Sequence, residues 1–306
     1  MILSAEWALP MSLDPLSGLE LPEGVVLEHI QPTIGTVVHG LDLREDLAPA
    51  TVAFLRRLWL ARKVIFFRDQ PLTPEQHIRF GRHFGPLDAF LGSRMEGRPY
   101  HPEILIMSRG ADDAQKEAFF HQDVPYSNPP VDGAVALLRE CPEVRGDTLY
   151  VDMEAAYAGM SDWLKRAVEG LYAEHRFDQG IRLYNSKVDE ATIERIMRQF
   201  PPTVHPVVQT HPETGGKILY VSLAYTTRIL GLPRNESQAL VKLLSEQAQI
   251  PELQCRFRWR KNSVAMWDNR AVQHYACFDY LGDHRELHRV TIRGERPWPE
   301  PQSASR

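Results

Sequence analysis

Residues 121–151 read HQDVPYSNPPVDGAVALLRECPEVRGDTLYV, and this stretch decides the fold class that the sequence predicts. Two short apolar runs within it, residues 133–139 and 148–151, have the length and the bounding turn residues of β-strands. Similar strand patterns follow further along the chain, at residues 171–177, 205–210, 217–221 and 256–260. The series predicts a mainly β protein with flanking helices (α+β), built on a double-stranded β-helix (jelly-roll) core.

Helical patterns interrupt the strands and are expected to buttress the sheet. A first helix is predicted over residues 50–61, and it leads into the buried strand 64–67. A second is predicted to begin at Thr73, which can cap it, with Pro74 at the first helical position and Gln76 closing a capping box. Further helices are predicted at residues 161–170, 189–200 and 235–249.

The opening stretch begins with a metal-binding pattern, His121-Gln122-Asp123. Two residues apart on an extended strand, the imidazole and the carboxylate point to one face, where His274 from a neighbouring strand can complete a facial triad. Two histidines and one carboxylate in this arrangement are the ligands of non-haem Fe(II) oxygenases. Read alone, the pattern also fits a surface turn, because the chain contains 12 histidines and His-x-Asp arises easily by chance.

Two other classes of protein stay open on the ligand types alone. A zinc-type metallohydrolase can use two histidines and a carboxylate, since these residues also bind Zn²⁺. A non-catalytic jelly-roll binding protein is the second alternative, although such a protein is expected to have lost at least one of the three ligands. His211 does not enter the ligand set, because it precedes Pro212 at a hairpin turn and is expected to form structural hydrogen bonds.

Arg285 indicates a bound carboxylate. It lies in residues 284–292, which have the pattern of a strand, and it shares one face of that strand with Arg289. Its guanidinium offers a planar two-donor fork for a carboxylate, such as the far end of the 2-oxoglutarate that oxygenases of this type bind. A solvated charge on an edge strand is the alternative interpretation of Arg285. His284 and His288 face away from both arginines and are not expected to be ligands.

Eight short motifs follow one another along the chain in a specific order and spacing. They are VVHGLDL (37–43), FFRDQ (66–70), FGRHFGPL (80–87), HQD (121–123), GDTL (146–149), THP (210–212), WDNRAVQH (267–274) and HRVTI (288–292). In this order they resemble the taurine dioxygenase family of Fe(II)- and 2-oxoglutarate-dependent oxygenases. The resemblance runs from about Gly35 to Pro297 and so covers nearly the whole chain.

The resemblance implies a role for each matching position. Iron would be bound by the catalytic residues His121, Asp123 and His274, and the co-substrate 2-oxoglutarate by Thr148 and Arg285. The cofactors it implies are therefore Fe(II), 2-oxoglutarate and O₂. The implied reaction is hydroxylation of a C–H bond of the substrate, with release of succinate and CO₂.

The substrate side of the site departs from the taurine enzymes. Arg289 falls where those enzymes grip the sulfonate of their substrate, so the resemblance implies an anionic substrate. Glu117 stands where they have an asparagine, and the segment 88–101, which is expected to act as a lid, lacks their His-Pro-x-Tyr run. Phe90 and Tyr126 are expected to make the substrate pocket apolar and aromatic. These differences argue against taurine itself and leave a sulfonate, a sulfate ester or a carboxylate.

Composition is consistent with a soluble enzyme that acts on small molecules. The 306 residues, 43% of them hydrophobic, are ample for a large core, and a net charge of −5 gives no electrostatic reason to expect nucleic acid. Three cysteines without a Cys-x-x-Cys pair fit a reducing compartment. No stretch approaches the roughly 20 apolar residues of a membrane span, and the first residues make a poor signal peptide, so we expect a cytoplasmic protein.

The domain organisation is expected to be simple. One dioxygenase domain is predicted over residues 25–297, with a flexible N-terminal segment, residues 1–24, and a flexible tail, residues 298–306. The expected partners are a small-molecule substrate and further copies of the chain in a homo-oligomer, either a dimer or a tetramer. Neither nucleic acid nor a membrane is expected as a partner.

Overall fold

The computed structural model describes residues 18–89, 101–109, 119–184, 189–280 and 282–294. Two of the candidate substrate residues, Phe90 and Glu117, lie outside the described residues. The same holds for most of the expected lid, for the first 17 residues and for the expected C-terminal tail.

Short strands and helices alternate along the described chain. The strands are β1 Val26–His29, β2 Thr36–His39, β3 Val64–Phe67, β4 Leu105–Arg109, β5 Gly133–Glu140, β6 Thr148–Asp152, β7 Tyr172–His175, β8 Thr203–Pro206, β9 Val208–Thr210, β10 Lys217–Leu219, β11 Thr226–Ile229, β12 Gln254–Phe257, β13 Val264–Asp268, β14 Val272–Ala276 and β15 Arg285–Ile292. The helices are α1 Pro49–Arg62, α2 Pro74–Arg82, α3 Met153–Gly159, α4 Asp162–Val168, α5 Phe177–Tyr184, α6 Glu190–Gln199 and α7 Arg234–Ser245, and 3₁₀ turns follow α7 at Glu246–Gln249 and Pro251–Leu253. The protein is thus mainly β with flanking helices.

The larger sheet has the strand order β1-β2-β3-β13-β5-β15-β4, and all neighbours are antiparallel except β2 and β3. A smaller antiparallel sheet, β12-β6-β14, packs against it through an aromatic core in which Phe66 of β3 stacks on Phe257 of β12, with ring centroids 3.9 Å apart. The smaller sheet carries His274 on β14, and the larger sheet carries Arg285 and Arg289 on β15. The candidate site therefore draws its residues from both sheets.

Helices α1 and α2 cover the larger sheet with a second hydrophobic core. Leu55 and Leu58 of α1 and Phe80 of α2 belong to the same buried cluster as Ile65 and Phe67 of β3. A third hydrophobic cluster is formed mainly by residues that follow β6 in the chain, from α3, α4, α7 and the strands β9 and β10. β15 lies between β5 and the edge strand β4 in the larger sheet, and all eight of its residues are buried.

The predicted helix starts are confirmed where a side chain caps the helix. Thr73 Oγ1 accepts from Gln76 N, and Thr73 N donates to Gln76 Oε1, which is the predicted capping box of α2. Ser161 and Asp189 cap α4 and α6 in the same way, each accepting from a backbone N–H three residues later. The side chain of Asp152 caps α3, a helix that the sequence pattern did not predict.

The strand predictions are confirmed for β5 and β6, and they fail where a turn interrupts an apolar run. The strand predicted at 171–177 ends at His175, because Phe177 already begins α5. The run 205–210 is divided at Val207 into β8 and β9, which pair with different strands. Strand β12 ends at Phe257, although arginines continue to alternate with buried aromatic residues beyond it.

His77 makes the folded protein sensitive to acid. It is fully buried on α2, where Nε2 donates to Val135 O at 2.9 Å, and burial lowers the pKa of the imidazole from 6.5 to about 3. The unfolded chain therefore binds a proton between these values that the folded protein does not bind, so stability falls as the pH falls from 6.5 towards 3. We expect the melting temperature of chelator-treated protein to decrease over this range, and to decrease less for His77→Gln. The same slope in wild type, His77→Gln and the exposed control His39→Gln would contradict this expectation.

Candidate active site

The predicted metal ligands meet through a bridge between His121 and His274. His121 N donates to His274 O at 3.1 Å, His274 N donates to His121 O at 2.9 Å, and the two ring centroids are 4.4 Å apart. One ligand atom each from His121, Asp123 and His274 lies within 4.8 Å of the other two. Among the described residues, no other three His, Cys, Asp or Glu side chains come this close. His121 forms only this isolated bridge, so the regular strand expected through residues 121–123 is wrong, although the expected cluster forms.

The tautomer of His121 is set by the backbone. Its Nδ1 donates to Phe119 O at 2.8 Å, because a carbonyl oxygen can only accept. The lone pair is therefore on Nε2, which lies 4.0 Å from Asp123 Oδ1. A hydrogen bond of this kind on the far nitrogen is the usual arrangement of a histidine that binds a metal ion.

Arg289 forms an ion pair with one carboxylate oxygen of Asp123, and the other oxygen faces His121. Nη1 of Arg289 lies 2.6 Å from Asp123 Oδ2, and each of the two side chains is only 9% exposed. The second oxygen, Oδ1, is the one that faces His121 Nε2. The arginine therefore occupies the oxygen of Asp123 that a monodentate metal ligand does not use.

Burial and charge put all three candidate ligands in the ionisation state that a metal cation requires. Burial lowers the pKa of His121, and it lowers the pKa of His274 to about 3, so both imidazoles are neutral at pH 7. Burial alone would raise the pKa of Asp123, but the Arg289 guanidinium, with the two histidines, holds it below its usual value. The donor set of two neutral nitrogens and one carboxylate oxygen thus fits a divalent iron ion without loss of protons.

Arg285 and Thr148 both contact Trp259. Nε1 of Trp259 donates to Thr148 Oγ1 at 2.9 Å, and the Arg285 guanidinium carbon lies 5.9 Å from the centre of a Trp259 ring. Thr148 Oγ1 accepts this bond, so its own hydrogen remains able to donate to a ligand. Gly146, at φ +70°, passes so close that a Cβ atom there would lie 3.2 Å from Arg285 Cδ. A buried guanidinium and a hydroxyl donor that both contact one tryptophan fit the carboxylate of 2-oxoglutarate.

Arg285 and Arg289 place two positive charges on one face of β15. Four residues of strand separate them, which corresponds to about 13 Å. Arg289 lies beside the candidate metal ligand Asp123, whereas Arg285 lies beside Trp259. The two arginines therefore have different surroundings, although they belong to the same strand.

Aromatic rings line the site next to His121. Tyr225 lies 5.8 Å from the His121 ring, and Tyr126 meets Tyr225 at 5.6 Å and stacks on Phe177 of α5 at 4.4 Å. Burial raises the pKa of Tyr126, so its hydroxyl stays protonated. Of the expected aromatic pocket residues, Tyr126 therefore belongs to a ring cluster that contacts the candidate ligand His121, while Phe90 lies outside the described residues.

The other histidines weighed from the sequence have structural contacts. His211 Nε2 donates to Asp268 Oδ2 at 2.9 Å in the protein interior, as its expected hydrogen-bonding role requires. His284 is bonded to Glu140, and His288 is bonded to Glu286 on the opposite face of β15 from Arg289. None of them belongs to the metal-ligand cluster.

Sequence reasoning missed two residues that support the site. Trp259 falls in the strand pattern predicted at residues 256–260 and was given no role in the site, yet it donates to Thr148. Asn269, inside the WDNR motif, bonds both backbone polar groups of Asp123, which is 146 residues away in sequence. No spacing rule connects residues so far apart. The one signal in the sequence was the position of Asn269 just before the strand that carries the candidate ligand His274.

Comparison with known proteins agrees with the class that the fold and the site define, a metal-dependent oxygenase. A family model described as "Taurine catabolism dioxygenase TauD, TfdA family" matches residues 27–291. An alkylsulfatase of Acinetobacter baylyi is 32% identical over 285 residues, which are 88% of this chain and 85% of that protein. An alpha-ketoglutarate-dependent 2,4-dichlorophenoxyacetate dioxygenase of Cupriavidus pinatubonensis is 32% identical over 282 residues, 87% of this chain and 97% of that protein.

A solved structure supports the same assignment. The crystal structure of a taurine dioxygenase from Burkholderia xenovorans matches with a TM-score of 0.76 and 34% identity, and the match covers 91% of this chain and 93% of that one. The chain belongs to the TauD/TfdA family. It is an enzyme, an Fe(II)- and 2-oxoglutarate-dependent dioxygenase. This assignment does not agree with the two alternatives from the sequence, a zinc-type metallohydrolase and a non-catalytic binding protein. Within the described ranges, no helix has both the length and the apolar composition of a transmembrane span.

Proposed function

We propose that His121, Asp123 and His274 bind the catalytic iron and that the enzyme hydroxylates a small anionic organic substrate. The observation that carries the first part is the convergence of one ligand atom from each residue within 4.8 Å. Neutral imidazoles and an ionised carboxylate, as found here, are the protonation states that Fe(II) requires. A facial set of three ligands leaves three positions for 2-oxoglutarate and O₂.

Arg285 and Thr148 are the proposed ligands of the far carboxylate of 2-oxoglutarate. Arg285 offers a planar pair of donors, and the Thr148 hydroxyl keeps a free hydrogen because Trp259 bonds its oxygen. The aromatic rings of Trp259 and Tyr280 lie 5.9 and 5.8 Å from the Arg285 guanidinium carbon. They shield the guanidinium from water, which strengthens its attraction for a carboxylate.

Arg289 is the proposed anchor of the substrate anion. Its Nη1 engages Asp123, but its buried Nε has no hydrogen-bond partner among the described residues. An unpaired buried donor of this kind favours a ligand that supplies an acceptor, such as a sulfonate, sulfate or carboxylate oxygen. The names of the relatives point to the same anions, since one is an alkylsulfatase and another acts on 2,4-dichlorophenoxyacetate.

The organic part of the substrate is proposed to lie against the aromatic cluster of Tyr126, Phe177 and Tyr225. Rings of this size provide an apolar surface that suits a hydrocarbon or aryl group better than the short polar chain of taurine. Glu117 and Phe90, which lie outside the described residues, remain proposed contacts from the sequence. Taurine itself is therefore not the proposed substrate.

In the reaction, the protein residues bind, orient and exclude water. Iron, when bound, couples the conversion of 2-oxoglutarate and O₂ into succinate and CO₂ to hydroxylation of the substrate. Arg289 fixes the substrate anion beside Asp123, so that one C–H bond is presented at the metal-binding side of the carboxylate. The aromatic cluster keeps this side of the site dry.

The architecture proposed for this function is a jelly roll. Support comes from the packing of the mainly antiparallel larger sheet on the smaller sheet β12-β6-β14 and from the match to solved relatives over most of the chain. We also propose that residues 25–297 form one dioxygenase domain and that the enzyme is a cytoplasmic homo-oligomer, a dimer or a tetramer.

Succinate formation tests the proposed function. Wild-type enzyme with Fe(II), ascorbate and 2-oxoglutarate under air is expected to form succinate when given one class from a panel of alkyl sulfates, sulfonates, aryloxyalkanoates and amino acids. His121→Ala is expected to form none, because it removes a metal ligand. Stimulation by taurine and by no larger anion would contradict the proposed substrate class. Succinate formation by His121→Ala equal to that of wild type would contradict the proposed iron site.

A further inference from the structure

A buried network of charges lies beside the metal ligands and has no role in the proposed chemistry. Asp268 accepts from Arg270 Nε at 2.8 Å, from Arg270 Nη2 at 2.7 Å and from His211 Nε2 at 2.9 Å. Arg270 Nη1 donates to Glu213 Oε1 at 2.9 Å and also lies 3.4 Å from Asp132. Buried ion pairs contribute little net stability compared with apolar packing, so stability alone does not account for a network of this size.

Asn269 lies between Asp268 and Arg270 of this network, in the turn that joins β13 to β14. Its side-chain Oδ1 accepts from Asp123 N at 2.7 Å, and its Nδ2 donates to Asp123 O at 2.8 Å. Its own backbone N donates to Asp132 O at 3.0 Å, and none of the residue is exposed. The turn thus holds the backbone of one metal ligand and leads directly into the strand that carries another, His274.

The chain just after Asp123 has a conformation that needs such support. Val124 has φ +52°, a left-handed value that β-branched residues rarely adopt. Asn269 holds the backbone before it, and Thr203 Oγ1 donates to Tyr126 O at 2.6 Å after it. A strained residue persists only where its surroundings fix the backbone on both sides.

We propose that Asn269 is a positioning residue for the iron centre. It fixes the Asp123 backbone, and the network of Asp268, Arg270 and His211 holds the turn from which it acts. The inference rests on the proposed function in one respect, which is that Asp123 binds the metal. Asn269 touches neither metal nor substrate and acts only through Asp123.

The amide side chain is specifically suited to this position. Asn presents one acceptor and one donor side by side, which matches the N–H and C=O of a single backbone residue. In the isosteric variant Asn269→Asp, the carboxylate would keep the bond from Asp123 N but set an oxygen against Asp123 O. Loss of support around a metal ligand typically weakens metal binding about 10- to 100-fold.

The test measures metal binding with Co(II) as the probe, by titration calorimetry and by the visible absorption spectrum of the bound ion. The variants are Asn269→Ala and Asn269→Asp. The control is Gln273→Ala, which removes another fully buried amide, one that donates to Val221 O at 2.7 Å and points to the opposite face of β14 from His274. Melting temperatures of the apoproteins show how far each variant is destabilised.

We expect both Asn269 variants to bind Co(II) about 10- to 100-fold more weakly than wild type, with an altered absorption spectrum. Gln273→Ala is expected to keep the wild-type affinity and spectrum even if it melts at a lower temperature. Asn269→Asp keeps the side-chain volume, so it decides the question if Asn269→Ala fails to fold.

Two other results would overturn the inference. If wild type binds Co(II) and the Asn269 variants match Gln273→Ala in affinity and spectrum, Asn269 has no positioning role and the proposed function stands. If wild type binds no Co(II), while His121→Ala behaves identically, the proposed metal site falls and the inference falls with it.

Discussion

Replacing Asp123 with asparagine is expected to abolish metal binding and succinate formation. The amide that takes the place of the carboxylate is neutral, so the set of two histidines and a carboxylate loses its only anionic member. Binding of Co(II) by calorimetry and succinate formation by chromatography measure the two losses. Turnover by Asp123→Asn at the wild-type rate would show that the metal is bound elsewhere.

The same substitution is expected to destabilise the apoprotein, because it leaves Arg289 without its anionic partner. The two side chains are each 9% exposed and lie 2.6 Å apart. Removing one partner of a buried ion pair costs about 3–5 kcal/mol. Urea unfolding of the chelator-treated proteins should show this loss for Asp123→Asn, and most of it should be recovered in the double variant Asp123→Asn/Arg289→Gln. The double variant should still bind no metal, which separates the fold from the function.

Replacing Arg285 with glutamine is expected to raise the KM for 2-oxoglutarate by a factor of between about 30 and several thousand. A buried charge that meets a ligand carboxylate typically accounts for about 2–5 kcal/mol of binding, and each 1.4 kcal/mol is about a factor of ten. Arg285→Lys should give an intermediate value, because an ammonium keeps the charge but lacks the planar fork. Initial rates measured at varied 2-oxoglutarate concentration, with the primary substrate saturating, determine this KM.

Arg293→Gln is the matched control for Arg285→Gln. Arg293 follows β15 directly, but it is exposed and pairs with Asp88 at the surface. Surface ion pairs contribute little, so this variant should keep the wild-type KM for 2-oxoglutarate. An unchanged KM in Arg285→Gln as well would show that the co-substrate carboxylate is bound by another group. Co(II) affinity should stay unchanged in both variants, since neither arginine is a metal ligand.

The sequence predicted the ligand cluster because short motifs mark all three of its members. His121 and Asp123 are two residues apart, and His274 lies within a motif, WDNRAVQH, whose order after the first ligand is specific. Arg285 and Arg289 were expected on one face because a strand alternates its side chains. The structure brings His121, Asp123 and His274 together and carries both arginines on β15, although residues 121–123 do not form the regular strand that was expected.

What the sequence could not predict are contacts between distant segments. The pairing of Arg289 with Asp123 joins β15 to the segment before β5. From the sequence, Asp123 was predicted to bind iron and Arg289 to bind the substrate anion, and neither prediction implies that the two residues pair. Trp259 lies two residues after the end of β12 and Thr148 begins β6, so their hydrogen bond depends on the register of β12 against β6. The division of one apolar run into two strands at Val207 was missed, because such a run does not show where the chain leaves one partner strand and pairs with another.

The ion pair between Arg289 and Asp123 also sets the electrical balance of the assembled enzyme complex. The pair carries no net charge, and the two candidate histidine ligands are neutral. The charge of a divalent ion would therefore be balanced by the dianion 2-oxoglutarate rather than by this part of the protein. Because an uncompensated charge is costly in a low-dielectric interior, we expect the metal ion and the co-substrate each to strengthen the binding of the other.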